Sequence, residues 1–481
     1  MERSRVGRRG SAFALVALLV PLLGAMPAQP ESFAFSELGG YRGNAYVTHR
    51  DGDAYEYSED VALTFSHAVD LASFRASYTI SPQTPSSVYP WEYGRRIAIT
   101  MRKVPGVTYT ITVAPTLTDT DGRQLGKSIS VRLTTPADPV IPAPLRATPD
   151  EPYRYGVLAH PFPFSLTGRT ARRQMDLMQR AGVRFVRIDY CGTQIEPDPG
   201  RWDWSIPDRI AGELARRGIT ELPIVEQYCA PKWATGGRGY PAIWMEPSAY
   251  ADFAGAIAAH IAHRYPAINR MELFNEPNLH GWWSNPNPQY AARDGSATGV
   301  YMKAAYAAVK QSAPGMTVVG PALADGGSDT DPRKFFEAMY ESGCRRGVCW
   351  DVLSVHNYRW YNPTFSTKPS YQNQWSVYRQ LQEIAARHGD PSTHVMLTEW
   401  GFSTIDSPVG FDPKVQAWYV ALGFNLMLAD PTVDGIVYVN LYNPATDFWG
   451  RTALTTPDFQ PLPGMDVFRA FAAAGEKTSR R

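Results

Sequence analysis

Two glutamates end apolar runs that lie far apart in the chain: Glu276 in MELFNEP and Glu399 in VMLTEWG. A pair of carboxyls can cleave a glycosidic bond. One, protonated, donates to the leaving oxygen while the other, ionised, attacks the anomeric carbon through an oxocarbenium-like transition state. Direct attack requires the two to stand about 5 Å apart, and their environments must hold one protonated and the other ionised. Asn275 and Pro277 flank Glu276, and Trp282 and Trp283 follow it. Alone, the stretch NEP reads as a turn that breaks a strand. Its weight as chemistry depends on what brings Glu399 beside it.

From residue 151 to 475 apolar runs alternate with amphipathic helical patterns. The runs are YGVLAH, FVRIDY, LPIVEQY, MELFNEP, TVVGPALA, VLSVHNY, VMLTEWG and IVYVNLY. In SAYADFAGAIAAHIAHRYP the residues Tyr250, Phe253, Ile257 and Ile261 share one helical face, with Ser248 placed to cap it. Gly218 ends the helix pattern PDRIAGELARRGI. Eight such units predict a TIM (β/α)8 barrel, whose chemistry sits at the C-terminal strand tips. An open doubly wound sheet is disfavoured, since no GxGxxG or GxxxxGK[ST] follows the first strand. The expected tip residues are His160, Arg187 and Asp189, Gln227, Asn275 and Glu276, His356 and Tyr358, Glu399, and Asn440 and Tyr442. Placed on the fourth and seventh strands, Glu276 and Glu399 can face each other across the mouth.

Glu272 shares strand parity with Glu276 but lies about 13 Å lower, so a structural ion pair is its expected role. Arg187, inside an apolar strand, needs a carboxylate partner, and Glu399 or Asp189 would serve. Without a second ligand at metal spacing, His160 and His356 read more readily as satisfied core histidines. Trp202, Trp204, Trp233, Trp282, Trp283, Trp360, Tyr361, Trp400 and Trp449 lie near strand ends. Indoles there can stack on the apolar faces of sugars, or simply pack loops onto the rim. Trp282 and Trp400, neighbours of the glutamates, are the leading candidates for stacking.

Residues 31–138 have a different pattern. Short alternating runs (DVALTFSHAV, ASYTISP, RRIAITMRKV, TYTITVAPT, SISVRLTTP) separated by turns predict an all-β sandwich. Asp119, Asp121 and Gly122 lack the remaining ligands of a calcium loop and read as a hairpin turn. Residues 139–150 are a proline-rich linker, stiff enough to space the two regions or to dock one on the other. Residues 1–28, with four arginines before AFALVALLVPLLGAM, predict a cleaved signal peptide of the Sec or twin-arginine kind, with an uncleaved anchor as the alternative. Its removal takes four Arg and one Glu, moving the net charge from +1 to −2. A near-neutral chain has no electrostatic reason to seek nucleic acid or acidic lipid. In an exported chain Cys191 with Cys229 and Cys344 with Cys349 are candidate disulfides, while in a reducing compartment they would be thiols. The absence of CxxC spacing argues against zinc.

FNEPN on the fourth strand, HNY on the sixth and TEWG on the seventh resemble the clan of retaining (β/α)8 glycoside hydrolases whose catalytic glutamates lie on strands four and seven. RMELFNEPNLHGWW together with EPDPGRWDWSIPD is most similar to family thirty-nine, and family five is also similar. The resemblance implies that Glu276 is the acid/base, Glu399 the nucleophile and Asn275 a donor to the sugar 2-hydroxyl, with Arg187 and Tyr358 orienting Glu399. Two departures stand out. NLYNP occupies the end of the eighth strand where many members have a tryptophan, a role Trp449 could take, and Gln227 and Tyr228 stand where several relatives have a histidine. TYTITVAPTLTDTDGRQLG resembles bacterial Ig-like domains. The expectation is a secreted or cell-surface glycosidase acting on a poly- or oligosaccharide, with no cofactor, no metal and no membrane span in the mature chain. The alternative is a non-catalytic carbohydrate-binding or matrix-structural protein on the same scaffold. A serine hydrolase is disfavoured by the lack of GxSxG.

Overall fold

The computed structural model describes residues 32–42, 45–144, 152–159, 169–239, 242–324, 331–358 and 377–476. Residues 1–28, expected to be a signal peptide, residues 145–150 of the expected linker, His160, Trp360 and Tyr361 lie outside them.

The N-terminal part is a sandwich of two antiparallel sheets. Its strands are β1 (Phe35–Arg42), β2 (Ala45–Thr48), β3 (Asp60–Phe65), β4 (Tyr78–Ser81), β5 (Ser86–Trp91), β6 (Arg96–Met101), β7 (Thr108–Val113) and β8 (Ile129–Thr134). One sheet has the order β2-β1-β3-β6-β5 and the other β4-β7-β8. Val61, Leu63, Ile97, Ile99, Ile111 and Leu133 alternate inward and form the core between them. Asp119 accepts hydrogen bonds from the backbone N–H groups of Asp121 and Arg123, and its carboxylate pairs with Arg123, so the TDTDGRQ stretch is a turn.

The second part is a closed parallel barrel of β9 (Tyr155–Leu158), β10 (Phe185–Tyr190), β11 (Thr220–Val225), β12 (Arg270–Leu273), β13 (Thr317–Ala324), β14 (Val352–His356), β15 (Val395–Trp400) and β16 (Val433–Val439). All eight predicted runs form barrel strands. Leu158, Phe185, Leu222, Val319, Met396 and Val437 fill the barrel's interior. Tyr250, Phe253, Ile257 and Ile261 are buried on one face of the helix Pro247–Arg264, as their spacing predicts. Ser248 does not cap that helix: the cap position is Glu246, followed by Pro247 in the first turn. Both expected disulfides are present, with Cα separations of 5.3 Å for Cys191–Cys229 and 5.5 Å for Cys344–Cys349. The first ties the segments that follow β10 and β11.

The linker docks rather than spaces. The Ala143 carbonyl accepts from Asn425 Nδ2 at 3.0 Å, and Asp138, the last residue before the linker, pairs with Lys414, both partners lying on the helix Pro413–Leu428. Tyr57 of the sandwich packs edge-on against Trp418 of the same helix. Arg102 of the sandwich pairs with Asp406 at 2.9 Å, in the loop that leaves β15.

Candidate active site

The segment carrying Glu276 departs from regular strand geometry. β12 ends at Leu273, and Phe274 and Glu276 take positive φ values of 64° and 45°. Such angles cost a non-glycine residue about 1–3 kcal/mol and persist only where the surroundings enforce them. Here the Gln227 amide grips the Asn275 backbone on both sides, accepting from its N–H at 2.9 Å and donating to its carbonyl at 2.5 Å. Ala322 of β13 donates to the Phe274 carbonyl and accepts from the Glu276 N–H. Gly320 permits this close approach, because a Cβ there would meet the Leu273 carbonyl oxygen at 2.5 Å. The kinks turn Asn275 and Glu276, neighbours in the chain, toward the same site.

Glu399 is presented by a second irregularity. The pairing of β15 with β14 and β16 shifts register between Leu397 and Trp400, so that Thr398 and Glu399 both reach inward. Thr398 Oγ1 meets Ser354 Oγ at 2.5 Å, and Arg187 donates to Glu399 from Nη1 at 2.7 Å.

Arg187 divides its fork among three partners. Besides Glu399, Nε donates to Glu272 and Nη2 to Asn275 Oδ1 at 2.9 Å. Ser354 Oγ also bonds Glu272. Burial alone would lower the Arg187 pKa, but the Glu272, Glu399 and Glu226 carboxylates more than reverse this, and the guanidinium stays charged. Glu272 is the structural ion-pair partner expected, and Arg187 finds Glu399 rather than Asp189 as a direct contact. With its oxygen committed to Arg187, the Asn275 amide has its NH2 group to offer. Tyr358 Oη donates to the other Glu399 oxygen at 3.0 Å, and burial, then the Glu399 and Glu276 charges, hold this phenol far from ionising.

His356 is fully buried, as a core histidine would be, yet it belongs to the site. Its Nδ1 is 2.8 Å from Glu276 Oε1 and 3.6 Å from Glu399 Oε2. Donor atoms of Glu276, His356 and Glu399 all lie within 4.8 Å of one another. Three such groups could hold a divalent ion, but both Glu399 oxygens are already engaged by the Arg187 cation and Tyr358, and His356 Nδ1 by Glu276. Two carboxyls at this separation, one beside a guanidinium and the other beside an imidazole, suit acid and nucleophile roles in one reaction.

The aromatic residues divide. Trp449 is 41% exposed and meets Tyr358 edge-on with ring centroids 5.4 Å apart, so it stands at the mouth. Trp282 is half-buried, its ring 4.7 Å from that of Tyr228 and its carbonyl bonded to Gln227. Trp400 is a correction. It is fully buried on the outer side of the barrel, edge-on to Phe402, Phe424 and Tyr438, and has no face for a sugar. Trp202 and Trp204 stack on each other and on Phe253 and His260 of a barrel helix, and Trp283 is fully buried. Tyr442 stacks on Phe459 at 3.7 Å. Asn440 is buried with a positive φ of 60° and no partner for its side-chain amide among the described residues.

The sequence reading missed Ser354, which bonds Glu272, and Thr398, which bonds Ser354, and also Glu226 and Asn278. Glu226 follows β11 at the inward parity of Leu222 and Ile224, a signal that was available. Burial, then the Asp189 carboxylate, pushes its carboxyl well up. Asn278 clips the Glu276 loop to Ala324 through two hydrogen bonds of 2.7 and 3.0 Å.

Sandwich, closed barrel and paired glutamates together define a two-domain protein: an Ig-like domain followed by a TIM barrel with its polar cluster at the strand tips. Residues 50–135 match the family of bacterial Ig-like domains. Over most of its length the chain has the fold of a family 39 glycoside hydrolase from the gut symbiont Bacteroides cellulosilyticus WH2, at 17% identity, covering 88% of this chain and 81% of that one with a TM-score of 0.50. A monomeric β-xylosidase from Caulobacter crescentus CB15 is similar at 17% identity, over 68% of this chain and 69% of that one, with a TM-score of 0.51. No curated protein matches the chain in sequence.

Proposed function

We propose that the chain is an exported retaining β-glycoside hydrolase that cuts a neutral poly- or oligosaccharide by double displacement. The observation that carries this reading is the placement of Glu276 and Glu399 oxygens within 4.8 Å of each other, with Glu399 held by Arg187 and Tyr358. That spacing leaves room for the anomeric carbon but not for an intervening water, which favours retention of configuration.

In the first step a Glu399 oxygen forms a bond to the anomeric carbon as the bond to the leaving oxygen breaks. Glu276 gives its proton to that oxygen. In the second step Glu276, now ionised, takes a proton from water, whose oxygen displaces Glu399 from the sugar and returns both residues to their starting states. His356, within reach of both carboxylates, accompanies the proton's movement at Glu276. Asn275 offers its NH2 group to the sugar 2-hydroxyl, and Trp449 and Trp282 supply stacking surface. The sequence division into a signal peptide (1–28), Ig-like domain (31–138), linker (139–150) and catalytic barrel (151–475) belongs to the same proposal, as does location outside the cytoplasm.

The test is covalent capture. Incubation with activated 2-fluoro-β-glycosides, the xyloside first because of the β-xylosidase neighbour, then the glucoside, galactoside and mannoside, should add one glycosyl group to the peptide containing Glu399. Glu399→Gln should abolish turnover, whereas Glu276→Ala should keep some activity on substrates with good leaving groups and gain rate with azide. No adduct from any probe, together with no hydrolysis of a polysaccharide panel, would favour a non-catalytic binder.

A further inference from the structure

The Ig-like domain carries a second feature that the barrel's chemistry does not use. β5 is the edge strand of the five-stranded sheet. Val88 points into the core, so alternation sends Tyr89 and Trp91 to the outer face, roughly 7 Å apart along the strand. Both rings are half-exposed, at 50% and 51%. The Trp91 ring is backed by Tyr41, which reaches across the same sheet face from β1, centroid to centroid at 5.2 Å, so the half-exposed indole is held on one side.

Tyr89, Pro90, Trp91, Asp60, Thr100 and Val409 enclose a cleft of about 510 Å³. Burial pushes the Asp60 carboxyl up, with buried Lys103 and the Thr100 hydroxyl opposing the shift. The cleft therefore combines aromatic walls with a hydroxyl and a carboxyl and no cationic side chain in its lining, a combination that suits a neutral carbohydrate better than an anionic ligand. Val409 belongs to the loop that leaves the C-terminal end of β15, the strand that carries Glu399, so the cleft borders the catalytic rim. Pro90 has no N–H to donate, which disfavours pairing of this edge with another strand and points to the face as the functional surface.

We infer that Tyr89, Trp91, Asp60 and Val409 form a second glycan site that holds a neutral polysaccharide chain beside the catalytic mouth. The inference rests on the glycosidase reading for its choice of ligand, but its test does not depend on turnover. The full chain carrying Glu399→Gln is mixed with insoluble β-1,4-xylan, cellulose, mannan and galactan, and the protein left in solution is measured. On any polysaccharide that this chain binds, adding Tyr89→Ala and Trp91→Ala should weaken retention at least tenfold, and Trp91→Phe with Tyr89 intact should recover most of it. With Glu399 intact, the double alanine variant should keep kcat/KM on a soluble aryl β-glycoside within twofold. Unchanged retention, or no retention of the parent on any of the four, would overturn the site. So would loss of self-association in the double variant on sedimentation, which would assign the face to a second copy of the chain. If retention depends on Trp91 but no glycoside is cleaved, the glycan site stands and the hydrolase reading falls.

Discussion

Replacing Arg187 with lysine tests whether the buried guanidinium holds Glu399, the proposed nucleophile. The residue is fully enclosed and bonds Glu272, Glu399 and Asn275 through three different nitrogens. A lysine keeps the charge but concentrates it on one ammonium, which cannot span all three positions. Glu272, also braced by Ser354 and lower in the barrel, is the partner that the shorter ammonium can still satisfy. The loss then falls on Glu399 and Asn275, the two groups proposed to meet substrate. A hydrogen bond to a charged group is worth about 1.5–3 kcal/mol. If that stabilisation is expressed in the transition state, kcat/KM on an aryl β-glycoside should fall roughly tenfold to 150-fold at 25 °C. Alignment of the nucleophile matters most as the bond forms, so kcat should carry most of the change. A variant that melts like the wild type and keeps kcat/KM within threefold would refute the claim that Arg187 positions Glu399.

Three further outcomes are expected. Glu221, hydrogen-bonded by Tyr190 at 2.8 Å, has its carboxyl pushed by burial from 4.5 to about 8. The folded chain keeps this proton where the unfolded chain has released it, so stability falls as pH rises from about 4.5 toward 8. Glu221→Gln should therefore stabilise by roughly 3 kcal/mol near pH 7 and by little near pH 4.5, as read from denaturant unfolding at both values. Trp449→Ala should raise KM for oligosaccharides roughly threefold to tenfold with a smaller effect on kcat, since an aromatic contact contributes about 0.5–1.5 kcal/mol; an unchanged KM would remove Trp449 from the subsite. Cys191→Ala with Cys229→Ala opens a cross-link between residues 38 apart, against 5 for Cys344–Cys349. On a chain-entropy basis it should cost roughly 4 kcal/mol against about 2 for the other pair, measurable by denaturant unfolding.

The barrel was legible because eight apolar runs alternate with helices and all of them except TVVGPALA carry polar residues at their ends. In the sandwich, β1, β2 and β5 escaped notice. FSELGGYR carries two glycines and SSVYPW a proline, both of which weaken the strand signal, and the latter is tolerated because β5 lies at a sheet edge. The tips of β10, β12, β14 and β15 were found from the polar residues at the ends of their apolar runs and from the resemblance those residues carry. The hydrogen bonds that join them were not, because Arg187, Glu272, Asn275 and Glu399 meet only once the sheet has closed.

Trp400 shows where proximity in sequence misleads. Successive side chains on a strand point to opposite faces, so the residue after an inward glutamate is expected to point outward. Trp400 does so and anchors the outer helices against Phe424. Asn275 and Glu276 escape the same rule only because Phe274 and Glu276 adopt left-handed backbone angles, held there by Gln227 and Ala322. Two neighbours can thus serve one site when the chain is bent between them, and that bend is fixed by residues on β13 and just beyond β11. The distinction between a residue that reaches the polar cluster and one that packs away from it is set by tertiary contacts, and it is why Trp400 could not be told from Trp449 in the sequence.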